Sequence, residues 1–267
     1  MEQNAIRENI LNMIEKEFNK FDYGDSIVVF LDILGFSDKI KNTKSPNGKK
    51  ALFNTLSYMN AWGTTEDTNF IINENDFIYD YNQFNIGRIN INVIKKKLKI
   101  SYFSDSIVIS LEYDIKNLYK RFILVAKSLA YLISKLALAN FFTRGGVTIG
   151  KMFHENNVFF GPALLNAYEL ESTTAIYPRV ILSKELVNEL NDINRKIPYI
   201  ETAEDGLKYI DWINYAGMNE KDFGKEQIDK IKKIINSNID KNSANLKVRA
   251  KYEWLKNQFQ VMCEDNK

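Results

Sequence analysis

The chain has 267 residues, 45% of them hydrophobic and 26% charged, with 36 basic against 34 acidic side chains. This near-neutral balance excludes a global field that would select nucleic acid or an anionic membrane. One cysteine (Cys263) and one histidine (His154) exclude an intramolecular disulfide framework and a Cys/His zinc centre, and a serine triad would have to use His154.

The first segment, with Ile6, Ile10, Met13, Ile14 and Phe18 on one face, predicts an amphipathic helix over 1–22. It lacks the apolar core of a leader peptide, and the reducing cytoplasm is the expected compartment. SIVVFLDIL (Ser26–Leu34) reads as a buried central strand whose one charge is Asp32, ended by Gly35. Loop residues follow over 41–48, then a helix over Lys49–Trp62, then a polar, loop-rich insertion at 63–88. Leu98–Phe103 and Ile107–Leu111 form a hairpin around Ser104-Asp105-Ser106.

The apolar stretch from Phe122 to Phe142 is long enough to span a bilayer, but Lys127 and Lys135 interrupt it. It therefore reads as a buried helix within Ile115–Asn140. Thr143–Gly150 is a strand with two adjacent glycines, Gly161 opens a helix through Glu171, and Arg179–Leu182 is a further strand. Ser183 caps a helix to Leu190, and Leu207–Ile213 is the last expected strand. Lys221–Lys256 reads as helical and basic, ten Lys and Arg against five Asp and Glu, with Ile228, Ile231, Ile235 and Ile239 marking one apolar stripe and Tyr252, Leu255, Phe259 and Met262 another. The fold class is α+β, a mostly antiparallel sheet flanked by helices. The expected division is an N-terminal helix (1–22), a catalytic domain (23–215) and a C-terminal helical extension (216–267).

Asp32 and Asp105 carry the strongest chemical signal. A carboxylate inside an apolar strand is costly unless it is paired or binds a cation. If the first strand lies beside the hairpin, both aspartates meet at one sheet end, and paired carboxylates suit Mg²⁺ or Mn²⁺. The turn at Gly35 allows close backbone approach to an anion. His154, in the polar stretch KMFHENN, is expected to be exposed and silent.

The ordered stretches VVFLDILGFS, YFSDSIVIS, TRGGVTIG, FFGPALLNAYELE and RVILS resemble the class III nucleotide cyclases over roughly Ile27–Leu190. The resemblance implies a ferredoxin-like catalytic sheet. It implies two metal ions, Mg²⁺ or Mn²⁺, held by Asp32 and Asp105 with the carbonyl of Ile33. It implies phosphate contacts at Gly35, Phe36 and Ser37, and a glycine strand carrying Arg144, Gly146 and Gly150.

There are departures. Leu165 and Glu169 stand where that family has Asn and its transition-state Arg, with Asn166 one position away. Ser101 and Val158 stand at the two purine-selecting positions. The Leu31–Ser37, Phe103–Ser106, Gly161–Glu171 and Tyr177–Arg179 stretches are similar to the uridylate and cytidylate cyclases of bacterial Pycsar antiphage systems. That resemblance implies a nucleoside triphosphate substrate, UTP or CTP, and a homodimer with composite sites. It also implies an effector that reads the cyclic product. Arg144 and Arg179, and more weakly Lys208, are the cations expected to replace the missing Arg, and Tyr168 could stack on a base.

Two rival readings remain. One is a catalytically degenerate nucleotide-binding module, motivated by Leu165 and Glu169. The other is a polymerase-like palm, which the neutral charge disfavours. No stable nucleic-acid partner and no membrane span are expected.

Overall fold

A computed structural model describes residues 6–8, 22–64, 97–155, 158–191, 197–219 and 223–265. The helix expected over 1–22 lies almost wholly outside them, as does nearly all of the expected insertion at 63–88.

Among the described residues eight strands form one sheet. They are β1 (Gly24–Ile33), β2 (Leu98–Phe103), β3 (Ser106–Glu112), β4 (Thr143–Glu155), β5 (Val158–Phe160), β6 (Val180–Leu182), β7 (Ile200–Thr202) and β8 (Lys208–Ile210). Their order is β2-β3-β1-β4-β6-β8-β7, with β5 paired to β4. All pairs are antiparallel except β4 with β6. The helices are α1 (Phe36–Asn42), α2 (Pro46–Thr64), α3 (Leu118–Leu138), α4 (Pro162–Glu169), α5 (Lys184–Asn191), α6 (Trp212–Met218), α7 (Lys225–Lys241) and α8 (Leu246–Asp265). A single π-helical turn, Leu170–Thr174, extends α4. The α+β class read from the pattern stands.

The period-2 geometry of β1 sorts the two sheet faces. Ile27, Val29, Leu31 and Ile33 pack with α3 in the larger core, while Val28 joins Val108, Met152, Ala163 and Ala167 in a smaller core under α4. α3 is buried on nearly every side because α6 and α7 cover the surface that the sheet does not. Lys127 and Lys135 sit at its half-exposed positions, and the Lys135 ammonium lies 4.7 Å from the centre of the Phe223 ring. Among the described residues no helix is long and apolar enough to cross a membrane.

Several boundaries differ from expectation for local reasons. The last expected strand stops at Ile210 because the Asp211 side chain accepts the Asn214 N–H at 3.1 Å and caps α6. The basic C-terminal segment is two helices, broken at Asn242-Ser243-Ala244-Asn245. There the Asn245 carboxamide accepts the N–H of Val248 at 3.3 Å. Ile231 and Ile235 of α7, and Tyr252, Leu255 and Phe259 of α8, are buried in the same core as β1 and α3.

Candidate functional site

Asp32 is the penultimate residue of β1, the strand between β3 and β4. It stands opposite Ser106 of β3 and Arg144 of β4. The turn after β2 bends through Ser104 in the left-handed region (φ 57°), and the Asp105 carbonyl then accepts the Ile33 N–H at 3.2 Å. The hairpin tip is thereby fastened beside the end of β1. Because β1 pairs with the hairpin strand β3, the two aspartates share one end of the sheet.

Arg144 links Asp32 to a third acid. Its Nε–H donates to Asp32 Oδ2 at 3.5 Å. Glu171 Oε1 lies 2.5 Å from the same nitrogen but off the N–H axis, so that oxygen accepts no hydrogen bond. Glu171 is 3% exposed. The π-helical turn that carries it lies against β4, β1 and β6. No partner for the two terminal guanidinium nitrogens of Arg144 occurs among the described residues.

Burial, then the charge of Asp105, raises the carboxyl pKa of Asp32 above the ordinary range, and the Arg144 guanidinium opposes them. Burial also raises that of Glu171, again against Arg144. The ammonium of Lys251, on α8, is lowered by burial and then by Arg144, while Asp32 and Glu171 hold it up. Asp32, Asp105, Arg144, Glu171 and Lys251 therefore form one electrostatic unit of three acids and two bases. Glu171 and Lys251 were not singled out from the sequence. Glu171 closes the quoted AYELE stretch, whereas Lys251 lies in the segment Lys221–Lys256, read only as helical and basic.

The donor set fits the implied metal ions. Two carboxylates and a backbone carbonyl offer oxygen alone, which suits Mg²⁺ or Mn²⁺. The repulsion that raises Asp32 is of the kind a divalent cation relieves. Among the described residues no group of three or more His, Cys, Asp or Glu side chains could hold a metal. An ion here would complete its shell with main-chain, water or substrate oxygens.

Gly35 follows with φ 68° and open space around a would-be Cβ, then Phe36 turns into the core while Ser37 stays exposed. On α4 the exposed face carries Leu165, Asn166, Tyr168 and Glu169. The Tyr168 ring meets Phe30 edge-on at 5.3 Å. Val158 is exposed on β5.

The structure does not bring Arg179 to this cluster. Its guanidinium is 2% exposed and forms a two-pronged pair with Asp205, Nη1 to Oδ1 at 3.0 Å and Nη2 to Oδ2. It also lies 5.6 Å from the Tyr177 ring and 5.8 Å from that of Trp254. Lys208 donates to Thr202 on the neighbouring strand at 3.3 Å.

His154 corrects an expectation. It is buried, not exposed, because β4 runs on past the start of β1 and turns back through β5 over the sheet face. Its Nε2 lies 2.9 Å from Ser101 Oγ and its Nδ1 2.8 Å from Ser110 Oγ. The alternation of Met152 and His154 as inward residues was the missed signal. The hydroxyl of Ser101 is thus held in a buried network.

Burial and then Lys99 lower the imidazole pKa to about 4, against Glu155. The unfolded chain takes up the proton near 6.5 and the folded chain only near 4. Stability contributed by the neutral ring is complete above the higher value and lost as pH falls to the lower one. The expected loss is about 3 kcal/mol. Urea midpoints of wild type and His154→Gln at pH 7 and 4.5 check this, since the variant lacks that part of the acid sensitivity. Equal acid losses in both proteins would refute it.

No protein-family model matches the chain, and no curated protein matches it. Among solved structures it is similar to the monomeric guanylyl cyclase domain of the RhoGC fusion protein from the aquatic fungus Blastocladiella emersonii. That likeness has a TM-score of 0.38 and 14% identity over 70% of this chain and 94% of that one. At this level it assigns neither a family nor an activity.

Proposed function

We propose that this protein is a metal-dependent nucleotide cyclase acting on a pyrimidine nucleoside triphosphate, UTP with CTP as the alternative. Its products would be the 3′,5′-cyclic monophosphate and pyrophosphate. The carrying observation is the convergence of Asp32 and Asp105 at one sheet end, fastened by the Ile33–Asp105 main-chain bond, with Arg144 alongside. Among the described residues the order β1, α1–α2, β2, β3, α3, β4 supports this reading, since the resemblance implies a ferredoxin-like sheet.

In the reaction the ribose 3′-oxygen attacks the α-phosphorus. The bridging oxygen to the β-phosphorus leaves with pyrophosphate, and the hydroxyl proton passes to solvent. Asp32, Asp105 and the Ile33 carbonyl would hold Mg²⁺ or Mn²⁺, which supplies hydroxyl activation and charge neutralisation at the phosphates. Arg144, with its terminal nitrogens unpartnered among the described residues, offers a fork to a phosphate oxygen. Glu171, ion-paired with that guanidinium, keeps it beside Asp32 by charge. The left-handed Gly35 lets the chain turn sharply beside the phosphates, since no side chain intrudes there. Alignment for in-line attack and stabilisation of phosphate charge supply most of the acceleration.

The absence of purine-reading side chains at Ser101 and Val158 favours a pyrimidine. The Ser101 hydroxyl is bonded to His154, and Val158 has no polar group to offer. Phe103 is 75% exposed at the hairpin end, and Leu165 (68%) and Tyr168 (52%) are exposed on α4. These apolar groups are suited to burial in a homodimer, whose composite sites would draw α4 residues from the second protomer. A role in antiphage signalling through a cyclic-nucleotide effector in the cytoplasm rests on the sequence resemblance alone.

The test is incubation with UTP, CTP, ATP and GTP separately, with Mn²⁺, and mass-spectrometric detection of cyclic monophosphates. Cyclic UMP or cyclic CMP is expected. Cyclic AMP or cyclic GMP would overturn the pyrimidine assignment. Tight triphosphate binding with no product would favour a degenerate binding module, the reading that Leu165 and Glu169 on α4 motivate.

A further inference from the structure

We propose that the C-terminal helix α8 is part of the substrate site, with Lys251 providing a cation that binds the substrate's polyphosphate. The identity of the nucleotide rests on the cyclase reading; the polyphosphate chemistry is tested separately below.

Two mooring contacts place α8. Tyr252, next to Lys251, packs edge-on against Phe142 at 5.5 Å. Phe142 lies two residues before Arg144, and its carbonyl accepts the N–H of Leu34 at 2.8 Å, two residues after Asp32. Three residues beyond Lys251, the Trp254 ring stacks on Tyr177 at 5.5 Å and 12°. Tyr177 lies just past the π-helical turn that carries Glu171. One helical turn of α8 is thus fixed against Phe142, two residues before Arg144, and against Tyr177, six residues past Glu171. Arg179, buried between Asp205, Tyr177 and Trp254, braces that contact.

Lys251 is half-buried on this turn and has no hydrogen bond or ion pair among the described residues. It lies one residue before Tyr252 and one helical turn from Trp254, so it shares the turn that packs on Phe142 and Tyr177; its ammonium feels Arg144, Asp32 and Glu171 electrostatically. Burial and Arg144 disfavour this ammonium while Asp32 and Glu171 favour it, and an arriving polyanion adds to the favourable side. Three carboxylates alone would repel a triphosphate. Arg144 and Lys251 give the cluster two cations, so that the phosphates meet positive charge from α8 as well as from β4. A lysine in this role is a compact point charge, which suits a phosphate chain of variable pose.

The experiment measures inorganic tripolyphosphate binding by calorimetry in the presence of Mn²⁺, using the full chain and the variants Lys251→Met, Lys251→Arg and Lys256→Met. Lys256 is exposed on the same helix and serves as the charge control. Lys251→Met is expected to weaken binding at least tenfold, Lys251→Arg to stay within about threefold of wild type, and Lys256→Met to match wild type. For any nucleotide the protein turns over, Lys251→Met should raise KM more than it lowers kcat. Equal tripolyphosphate affinity in wild type and Lys251→Met, or no binding by wild type, overturns the proposal. If wild type makes no cyclic nucleotide yet Lys251→Met still loses tripolyphosphate, the cyclase reading fails and the assignment of Lys251 stands. A melting temperature for Lys251→Met equal to that of wild type shows that any loss is local to the site.

Discussion

Asp32→Asn is expected to reduce cyclic nucleotide formation by about a thousandfold or more, as loss of several kcal/mol of charge stabilisation implies. Asparagine keeps the shape of the side chain and its place between Ser106 and Arg144. It removes the negative charge that holds a divalent cation. Folding should not suffer. The wild-type carboxylate is half-buried, and both burial and the nearby Asp105 charge oppose its ionisation. Its favourable partner, Arg144, keeps Glu171. The variant should therefore melt within a few degrees of wild type while its product falls below detection. Cyclisation by Asp32→Asn at even a tenth of the wild-type rate would remove Asp32 from the reaction.

Gly146→Ala is expected to lower the melting temperature by roughly 6–12 °C, from an overpacking cost of about 3 kcal/mol. A Cβ built at Gly146 would stand 2.4 Å from the Ala167 carbonyl oxygen and 2.6 Å from Leu170 Cβ. The first of these belongs to the main chain of α4, so no rotamer change relieves it. Either α4 lifts from the sheet or β4 bends. Lifting α4 displaces Tyr168 from Phe30 and the π-helical turn from Arg144, so activity should fall along with stability. Gly35→Ala is the informative contrast. No atom lies within 4 Å of its would-be Cβ, and its cost is only the left-handed φ, about 1–2 kcal/mol. If Gly146→Ala melts like wild type, α4 does not pack as closely as described. Scanning calorimetry of both variants decides it.

Much of this architecture was legible because it depends on local pattern. The β-branched run through Val28 and Val29, interrupted only by Asp32, marks a central strand at any level of analysis. The lysines of α3 showed that its apolar stretch belongs in a protein core rather than a bilayer. Asp32 and Asp105 stood out because an acid in such a strand and an acid at a hairpin tip each ask for a partner.

His154 was misread for a reason of the same kind. Its neighbours are polar, and local polarity does not reveal that the imidazole is buried between Ser101 and Ser110. Arg179 looked like a free cation because Asp205, which pairs with it, lies 26 residues away in a turn.

By itself, then, the sequence determined the α+β class, the strand with Asp32 and the hairpin with Asp105. These follow from periodicity, turn chemistry and the cost of burying charge, all of which act over a few residues. Only the tertiary structure decided that Glu171 is turned inward against Arg144, that Arg179 braces a helix, and that α8, from the far end of the chain, packs on Phe142 and Tyr177. Those outcomes depend on long-range packing of α4, β4 and α8. Electrostatic partners are set by distance in space, which the spacing of residues along a chain does not encode.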